Sequence, residues 1–253
     1  MQPRVDATGF GDVRVLQDSE AFCYGADAVL LAGFAAEFWR QNGKRPERLC
    51  DLGTGTGIIP LILSHKTDIS ELCGLEVQDA SFRLAEENIR LNHLENRLRF
   101  FCGNVRDHAP DDGLVRVLGG AGSFDAVTCN PPYTAGSSGL QGANKGRIIA
   151  RHETCGTLGD FLAMAAVLLK DKADLFLIHR PSRLTDIMSQ MRERGIEPKD
   201  LMMISGKKDQ KPNLVLIRGT RGGGHELNVL PPAWVREDDG SFSLLMKRYY
   251  EID

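Results

Sequence analysis

The sequence predicts an α/β fold in which a doubly wound, mostly parallel sheet of seven strands carries helices on both faces. Short apolar segments alternate with longer segments of helical periodicity from about residue 48 onward. Glycines or an asparagine–proline step end several of the short segments. The last two short segments are joined by a few polar residues, so we expect an antiparallel hairpin at the C-terminal end of the sheet.

The elements follow from this alternation. Strands are expected at Arg48–Leu52, Glu71–Val77, Leu98–Cys102, Ser123–Cys129, Ala173–His179, Leu201–Ser205 and Asn213–Arg218. Helices are expected at Ile58–His65, Ala80–Leu94, Leu158–Lys170 and Leu184–Arg194. The stretch Thr134–Gly156 has neither period and holds five glycines, which predicts a long loop of the kind that often has a function.

The composition and the spacing of the cysteines and apolar residues argue against a metal-binding protein and a membrane-spanning protein. The chain has 253 residues, a formal net charge of −3 and six cysteines, no two of which form a CxxC pair. We therefore expect buried free thiols and no metal site. No apolar run exceeds nine residues, the length of Ala28–Ala36 with Gly33 counted as apolar, whereas a membrane span needs about 20. No signal peptide is visible in Met1–Glu20, so a cytoplasmic protein is expected.

A glycine-rich loop follows the first predicted strand. The stretch Asp51–Gly57 reads DLGTGTG, and glycines between a strand and a helix allow tight turns and close approach of a ligand. A dinucleotide fingerprint starting at Gly53 would need glycine where Ile58 stands, and the chain contains no P-loop motif. Asp51 can bind a cationic or amide-rich part of a ligand.

The next two strands end in further polar residues. Glu76 lies 23 residues after Gly53, where an acid can accept hydrogen bonds from both hydroxyls of a ribose. Asn104 follows the third strand and offers an amide to the edge of an adenine. Together with the glycine loop, these positions predict a nucleoside-binding site.

The fourth predicted strand ends in Asn130-Pro131-Pro132-Tyr133. Ligands collect at the carboxyl ends of parallel strands, so this segment is expected beside the glycine loop. A planar amine such as the exocyclic group of adenine is a poor nucleophile with two N–H donors. The side-chain oxygen of Asn130 and the carbonyl of Pro131 can accept both hydrogens and stabilise the positive charge that develops on the nitrogen. Tyr133 can stack on the base, which contributes about 1–3 kcal/mol.

These motifs, in this order, resemble the cofactor site of class I S-adenosylmethionine-dependent methyltransferases. The resemblance implies a Rossmann-like fold in which Asp51 and the glycines cradle the methionine portion and Glu76 holds the ribose. The segment Asn130–Tyr133 resembles that of the amino-methyltransferases, which comprise adenine-N6 methyltransferases of DNA and RNA and glutamine methyltransferases of release factors.

Flanking pieces resemble the bacterial tRNA adenine-N6 methyltransferase family, which acts on an adenosine beside the anticodon of a valine tRNA. They are Tyr24–Ala28, Gly57–Pro60, Thr128–Tyr133, Ile149–Glu153 and His179–Pro181. The resemblance spans roughly residues 10 to 220 and places Tyr24, Gly25 and Asp27 over the cofactor. Asp27 could equally be the N-cap of a helix.

The resemblance and the residue chemistry together define the expected site. The cofactor-binding residues are Tyr24, Gly25, Asp27, Asp51, Gly53, Thr54, Gly55, Gly57, Glu76, Val77, Asn104, Val105 and Asn130. The catalytic residues are Asn130, Pro131, Pro132 and Tyr133. We expect residues 1–46 to form an N-terminal segment and helix that pack on the cofactor site, and residues 47–253 to form the methyltransferase domain.

An RNA substrate requires local positive charge, because the chain as a whole is acidic. We expect Lys145, Arg147, Arg151 and His152, close to the N-P-P-Y segment, to contact RNA. A second basic stretch, residues 199–221, carries six basic and two acidic side chains and is either a phosphate-binding surface or a solvated turn.

Other functions stay open at this point. A methyltransferase of a release-factor glutamine, or of an rRNA or DNA amine, would use the same motifs, although only about fifty residues precede the first strand, little room for a separate N-terminal partner-binding domain. A pure RNA-binding module would not need the N-P-P-Y segment. A nicotinamide-dependent oxidoreductase is disfavoured by Ile58.

Overall fold

The computed structural model describes residues 3–18, 24–133 and 156–252. Its strands are β1 (Pro3–Ala7), β2 (Arg14–Asp18), β3 (Arg48–Leu52), β4 (Glu71–Glu76), β5 (Leu98–Cys102), β6 (Phe124–Cys129), β7 (Leu169–His179), β8 (Ile196–Lys207), β9 (Leu214–Arg221), β10 (Asn228–Val229) and β11 (Ala233–Arg236). Its helices are α1 (Ala26–Asn42), α2 (Ile58–Lys66), α3 (Asp79–Leu91), α4 (Gly113–Val117), α5 (Leu158–Leu168), α6 (Leu184–Glu193) and α7 (Leu244–Tyr250), with a 3₁₀ turn at Pro181–Arg183.

The main sheet has the order β10-β8-β9-β7-β6-β3-β4-β5, with β11 also paired to β8. The strands from β7 to β5 in this order are parallel, and β9 is antiparallel to both β7 and β8. Buried side chains of α1, α2 and α7 form a core on one face, and those of α5 and α6 form a core on the other. The predicted doubly wound α/β sheet with a C-terminal antiparallel hairpin is confirmed.

The strand count needs a correction. All seven predicted strands are present, but β10 and β11 extend the described sheet to nine strands, and β1 and β2 form a separate two-stranded sheet. The two added strands have only two and four residues. Segments this short carry no readable alternation, so pairing with β8 defines them instead of an apolar pattern.

Two strands are longer than predicted because they pair with neighbouring strands beyond their apolar segments. The strand expected from residue 173 begins at Leu169, although Lys170, Asp171 and Lys172 are exposed. The strand expected at 201–205 runs from Ile196 to Lys207 because it follows β9 along its length. Cys50, Cys73 and Cys129 are buried as expected, whereas Cys102, the last residue of β5, is exposed.

The N-terminal hairpin β1–β2 is attached to α3 next to the glycine loop. The backbone N–H of Leu16 donates to Asn88 Oδ1 at 2.5 Å, and Asn88 Nδ2 donates to the carbonyls of Leu16 and Thr56 at 3.0 and 2.9 Å. One buried amide therefore links the hairpin to residue 56 of the loop. The domain boundary at residue 46 stays a prediction. Among the described residues, no helix is both long and apolar enough to cross a membrane.

Candidate active site

The candidate site lies at the carboxyl edge of the parallel strands. Leu52, the last residue of β3, is in register with Cys129, the last residue of β6. On the other side of β3, Leu52 is in register with Leu75 of β4, and Glu76 pairs with Cys102 of β5. Gly53 and Asn130 therefore leave the sheet side by side, because each directly follows one member of a registered pair.

The glycine loop is held by the neighbouring strand. The backbone N–H groups of Gly53 and Thr54 both donate to the carbonyl of Leu75, at 2.8 and 3.0 Å, and the N–H of Gly55 donates to Glu76 Oε2 at 2.9 Å. Gly53, Gly55 and Gly57 all have left-handed backbone conformations, with φ of 70°, 60° and 84°. The loop therefore needs glycine at these turns.

Replacing Gly57 by alanine is expected to destabilise the protein by about 3 kcal/mol or more, since a left-handed alanine alone costs about 1–2 kcal/mol. A Cβ at Gly57 would lie 2.6 Å from the ring of Phe100, so the ring must shift. Gly55→Ala is the matched control, because its φ is also positive but a Cβ there meets no atom of the described residues within 4 Å. Thermal unfolding of the two variants measures the difference, and equal melting temperatures would contradict the predicted clash.

Asp51 is buried beneath this loop. Its Oδ1 accepts a hydrogen bond from the Thr128 hydroxyl at 2.7 Å, whereas its Oδ2 is buried and accepts none from the described residues. Burial raises the pKa of Asp51 to about 7, and the nearby hydroxyl groups of Thr128 and Thr54 partly offset that rise. A buried carboxylate oxygen without a donor is suited to a cationic or N–H-bearing ligand group.

Glu76 and Asn104 lie where the sequence places them, but both also serve the protein backbone. Glu76 is buried, and besides Gly55 it accepts the backbone N–H of Gln78 at 2.8 Å. Asn104 Oδ1 accepts the backbone N–H of Arg106 at 3.1 Å. Val77 is half-buried and Val105 is buried. Glu76 Oε1 also accepts the side-chain Nε2–H of Gln78 at 3.4 Å, whereas Oε2 keeps a second lone pair for a ligand hydroxyl.

The N-P-P-Y segment turns Tyr133 back toward the helix that precedes the first strand of the main sheet. The Tyr133 hydroxyl lies 2.7 Å from Asn130 Oδ1 and 3.0 Å from Asp27 Oδ2. Pro131 is buried, and Asn130 is half-buried. The N-terminus of α1 and the end of β6 therefore meet at one hydroxyl group.

Asp27 is not the helix N-cap. Gly25 occupies that position, and Asp27 lies in the first turn of α1, where its Oδ1 accepts the N–H of Ala28 at 3.0 Å. The backbone N–H of Tyr24 donates to the side chain of Gln17 at 3.3 Å, which ties the start of the helix to β2. The N-cap alternative is therefore wrong, and among the described residues the long-range hydrogen bond of Asp27 is the one to Tyr133.

Two residues that the sequence reasoning did not assign to the site surround the Tyr133 ring. His179 makes an edge contact at 5.3 Å between ring centroids, and the Arg180 guanidinium lies 4.9 Å from the Tyr133 centroid. Burial lowers the pKa of His179 to about 4, so its ring is neutral at pH 7, and burial raises the pKa of the Tyr133 hydroxyl far above its usual value. The position of His179 at the end of β7, and of Arg180 directly after it, is the signal that could have identified them, because this strand ends at the same sheet edge.

Of the two basic regions considered for RNA binding, the structure describes only the second. Lys145, Arg147, Arg151 and His152, and nearly all of the predicted loop Thr134–Gly156, lie outside the described residues. In the second basic stretch, Arg218 is buried in ion pairs with Asp174 and Asp200, both at 2.6 Å, so it is structural.

The turn between β8 and β9 lies at the carboxyl edge of the sheet. Val215 of β9 is in register with His179, the last residue of β7. Arg180 donates to the carbonyl of Asn213 at 3.0 Å, which connects this turn to the Tyr133 surroundings. Lys208 and Lys211 are exposed on the turn. Within the described ranges, no group of His, Cys, Asp and Glu side chains could hold a metal ion.

The sequence matches a known protein family over more than half of its length. The profile of the methyltransferase small domain family matches residues 25–159. A protein of Parabacteroides distasonis named tRNA1(Val) (adenine(37)-N6)-methyltransferase is 26% identical over 242 residues, which cover 96% of this chain and 92% of the relative. A protein of the same name from Porphyromonas gingivalis is 29% identical over 182 residues, 72% of this chain and 68% of the relative.

Solved structures share the fold. A protein of Agrobacterium tumefaciens described as a predicted O-methyltransferase superposes with a TM-score of 0.69 at 18% identity, covering 89% of this chain and 95% of that one. The Thermus thermophilus 16S rRNA N2 G1207 methyltransferase, in complex with AdoMet and guanosine, superposes with a TM-score of 0.58 at 16% identity, covering 87% of this chain and 50% of that one.

Proposed function

Because the chain belongs to the methyltransferase small domain family, we propose that it transfers a methyl group from S-adenosylmethionine to the exocyclic N6 amine of an adenine in tRNA. The observation that carries this proposal is the register of Leu52 with Cys129. It places the glycine loop directly beside Asn130, so a methyl donor and an amine acceptor can be held next to each other.

The described residues fit S-adenosylmethionine. The buried Oδ2 of Asp51, without a hydrogen-bond donor among the described residues, suits a ligand group that carries hydrogens or positive charge, and Gly55 leaves open space above the loop. Asp51 and residues 53–57 would hold the methionine portion, Glu76 the ribose, and Asn104 with Val105 the base. When bound, the cofactor supplies an electrophilic methyl group on a sulfonium.

Asn130 and Pro131 hold the substrate nitrogen. Their oxygens accept the two amine hydrogens, which directs the nitrogen lone pair at the methyl group and stabilises the positive charge that forms during transfer. The methylated nitrogen is acidic enough to release its proton afterwards without a dedicated base. Tyr133 would stack on the adenine through the ring face opposite Arg180.

The tRNA assignment rests on the names of the relatives and on the local charge. Relatives from two genera, similar over most of this chain or over about seven-tenths of it, are named tRNA1(Val) (adenine(37)-N6)-methyltransferases. The exposed Lys208 and Lys211 lie on a turn bonded to Arg180, beside the proposed base-stacking residue. Phosphates flanking a target adenine would meet this turn.

The direct test is methyl transfer from labelled S-adenosylmethionine to unmodified tRNA, with release factor protein and duplex DNA in parallel reactions. We expect label in tRNA alone, recovered as N6-methyladenosine after digestion. Label only in the protein would assign the chain to glutamine methylation, and label only in the DNA would assign it to DNA methylation. Either result would overturn the proposed substrate.

Replacing both Lys208 and Lys211 by alanine is expected to raise the KM for tRNA about tenfold and to leave the KM for S-adenosylmethionine unchanged. Each lost phosphate contact should also reduce the salt dependence of binding by about one in the slope of log K against log salt. Replacing Lys170 and Lys172, which are exposed at the start of β7 on the opposite edge, removes the same charge and is the matched control. Equal effects of the two pairs would indicate a non-specific field instead of a docking surface.

A further inference from the structure

The Tyr133 hydroxyl has two acceptor oxygens within hydrogen-bond distance but only one hydrogen. Asp27 Oδ2 is 3.0 Å away and Asn130 Oδ1 is 2.7 Å away. An ionised carboxylate accepts hydrogen bonds and donates none, and the same is true of a carboxamide oxygen. The hydroxyl therefore cannot satisfy both groups as they stand, and one partner must present a donor.

Two arrangements satisfy all three groups. In the first, Tyr133 donates to Asn130 Oδ1 and Asp27 carries a proton that it donates to the tyrosine. In the second, Tyr133 donates to the Asp27 carboxylate, and the Asn130 carboxamide is turned by 180° so that its Nδ2 donates to the tyrosine oxygen. The amide nitrogen and oxygen have nearly the same size, so this turn preserves the 2.7 Å contact. The second arrangement leaves Asp27 ionised and uses a charge-assisted hydrogen bond, which is the stronger kind.

We propose that Asp27, acting through the Tyr133 hydroxyl, is a positioning residue that turns the Asn130 carboxamide so that its oxygen faces the reacting amine. The proposal rests on the function proposed above, in which Asn130 Oδ1 accepts an amine hydrogen. In this orientation the oxygen that the chemistry needs is released from Tyr133. The chain from carboxylate to hydroxyl to amide also polarises Asn130, which makes its oxygen a better acceptor for a nitrogen that is gaining positive charge.

The surroundings keep this chain in place. His179 packs against the Tyr133 ring and Arg180 lies over it, so the ring cannot swing away without losing both contacts. Asp27 is fixed in the first turn of α1, and its other oxygen already accepts the N–H of Ala28. Burial keeps the Tyr133 pKa high, so its hydroxyl retains the hydrogen that the chain requires.

A double-mutant cycle on the full-length protein tests the proposal. Tyr133→Phe keeps the ring and Asp27→Asn keeps the shape. We expect each to lower kcat for tRNA methylation about ten- to a hundredfold, with the KM for S-adenosylmethionine changed less than twofold. The double variant should be no slower than the slower single variant, because both act through one chain. Multiplying effects, or an Asp27→Asn variant that mainly raises the KM for the cofactor, would overturn the proposal and place Asp27 over the cofactor instead.

A measurement without substrate separates this proposal from the proposed function. In ¹⁵N–¹H spectra of protein labelled at asparagine, Asn130→Asp identifies the Asn130 side-chain amide by its loss. We expect one of its two protons to be shifted downfield and protected from exchange, and to lose both properties in Tyr133→Phe and in Asp27→Asn. An Asn130 amide signal unaffected by Tyr133→Phe would show that the oxygen, not the nitrogen, faces the tyrosine. Wild-type protein that fails to methylate tRNA would refute the function and leave this spectroscopic result standing.

Two control variants test whether the effects of Tyr133→Phe and Asp27→Asn are specific or come from a general disturbance of the fold. Asp68→Asn changes an exposed carboxylate before β4, at the opposite end of the sheet, and Tyr250→Phe removes a hydroxyl from a ring that packs between Phe10 and Phe242. Both should leave kcat and the Asn130 amide signals unchanged. A similar loss in these controls would show that the effect of the test variants is not specific to the chain Asp27–Tyr133–Asn130.

Discussion

Asn130→Ala is expected to lower methyl transfer to tRNA by about a hundred- to a thousandfold, the cost of losing one preorganised group that stabilises charge in the transition state. The substitution removes the amide oxygen that accepts an amine hydrogen and leaves the backbone in place. Because Asp51, the glycine loop and Glu76 keep their contacts, the dissociation constant for S-adenosylhomocysteine should change less than threefold. Single-turnover rates with labelled cofactor and calorimetric binding measure the two quantities.

Asn228→Ala is the control for this prediction, since Asn228 is an exposed asparagine on the edge strand β10. It should retain the wild-type rate. A wild-type rate in Asn130→Ala would refute the proposed mechanism. A large loss of cofactor affinity in that variant would instead show that Asn130 acts mainly in cofactor binding.

Asp51→Asn is expected to weaken cofactor binding about a hundredfold and yet to stabilise the free protein above pH 7. The carboxylate faces the positively charged methionine portion of the cofactor in the proposed complex, so its loss removes a buried charge-assisted contact. In the free protein the same carboxylate is buried without a donor for Oδ2 among the described residues. Removing its charge then relieves a desolvation cost.

Asp51 should make the free protein less stable as pH rises toward 7. Burial raises the pKa of Asp51 in the folded state to about 7, whereas an unfolded aspartate has a pKa of about 3.9. Between these values the folded protein holds a proton that the unfolded chain has lost, so this group's contribution to stability falls as pH rises and the loss is complete above pH 7. A difference of about three pKa units corresponds to roughly 4 kcal/mol at most.

Urea unfolding of the free protein from pH 4 to pH 8 measures this effect. The decline attributable to Asp51 should be absent in Asp51→Asn and retained in the surface control Asp68→Asn. Cofactor affinity of the wild type should rise with pH through about 7, because binding favours the ionised carboxylate. A variant whose stability follows the wild-type profile at every pH would contradict the buried, proton-holding state of Asp51.

The proposed cofactor-binding part of the site could be predicted from the sequence, because its residues lie at or next to the carboxyl ends of strands. Asp51, Glu76 and Asn130 each stand at or just after the end of an apolar segment, and parallel strands bring such ends together without further information. The predicted bounds of β3 and β5 coincide with those observed, since β3 is a short, almost fully buried run and β5 alternates buried Leu98 and Phe100 with exposed Arg99. These features depend on local pattern alone.

The contacts around Tyr133 were not predictable in this way. Asp27 lies 106 residues before Tyr133, and its sequence context allowed an N-cap as readily as a ligand contact. Arg180 and His179 reach the same ring from β7, and their contacts depend on how that strand packs beside β6. The strands β10 and β11 likewise exist through pairing with β8, not through their own pattern.

Local residue patterns are enough to predict the alternation of strands and helices, the glycine loop and the N-P-P-Y segment, because periodicity and turn chemistry act over a few neighbouring residues. The folded structure is needed to show that α1 places Asp27 at the Tyr133 hydroxyl and that the turn with Lys208 and Lys211 lies beside Arg180. Those arrangements depend on packing between segments far apart in the chain. Each arrangement requires many side chains to pack together at the same time, and a local sequence pattern does not contain that information.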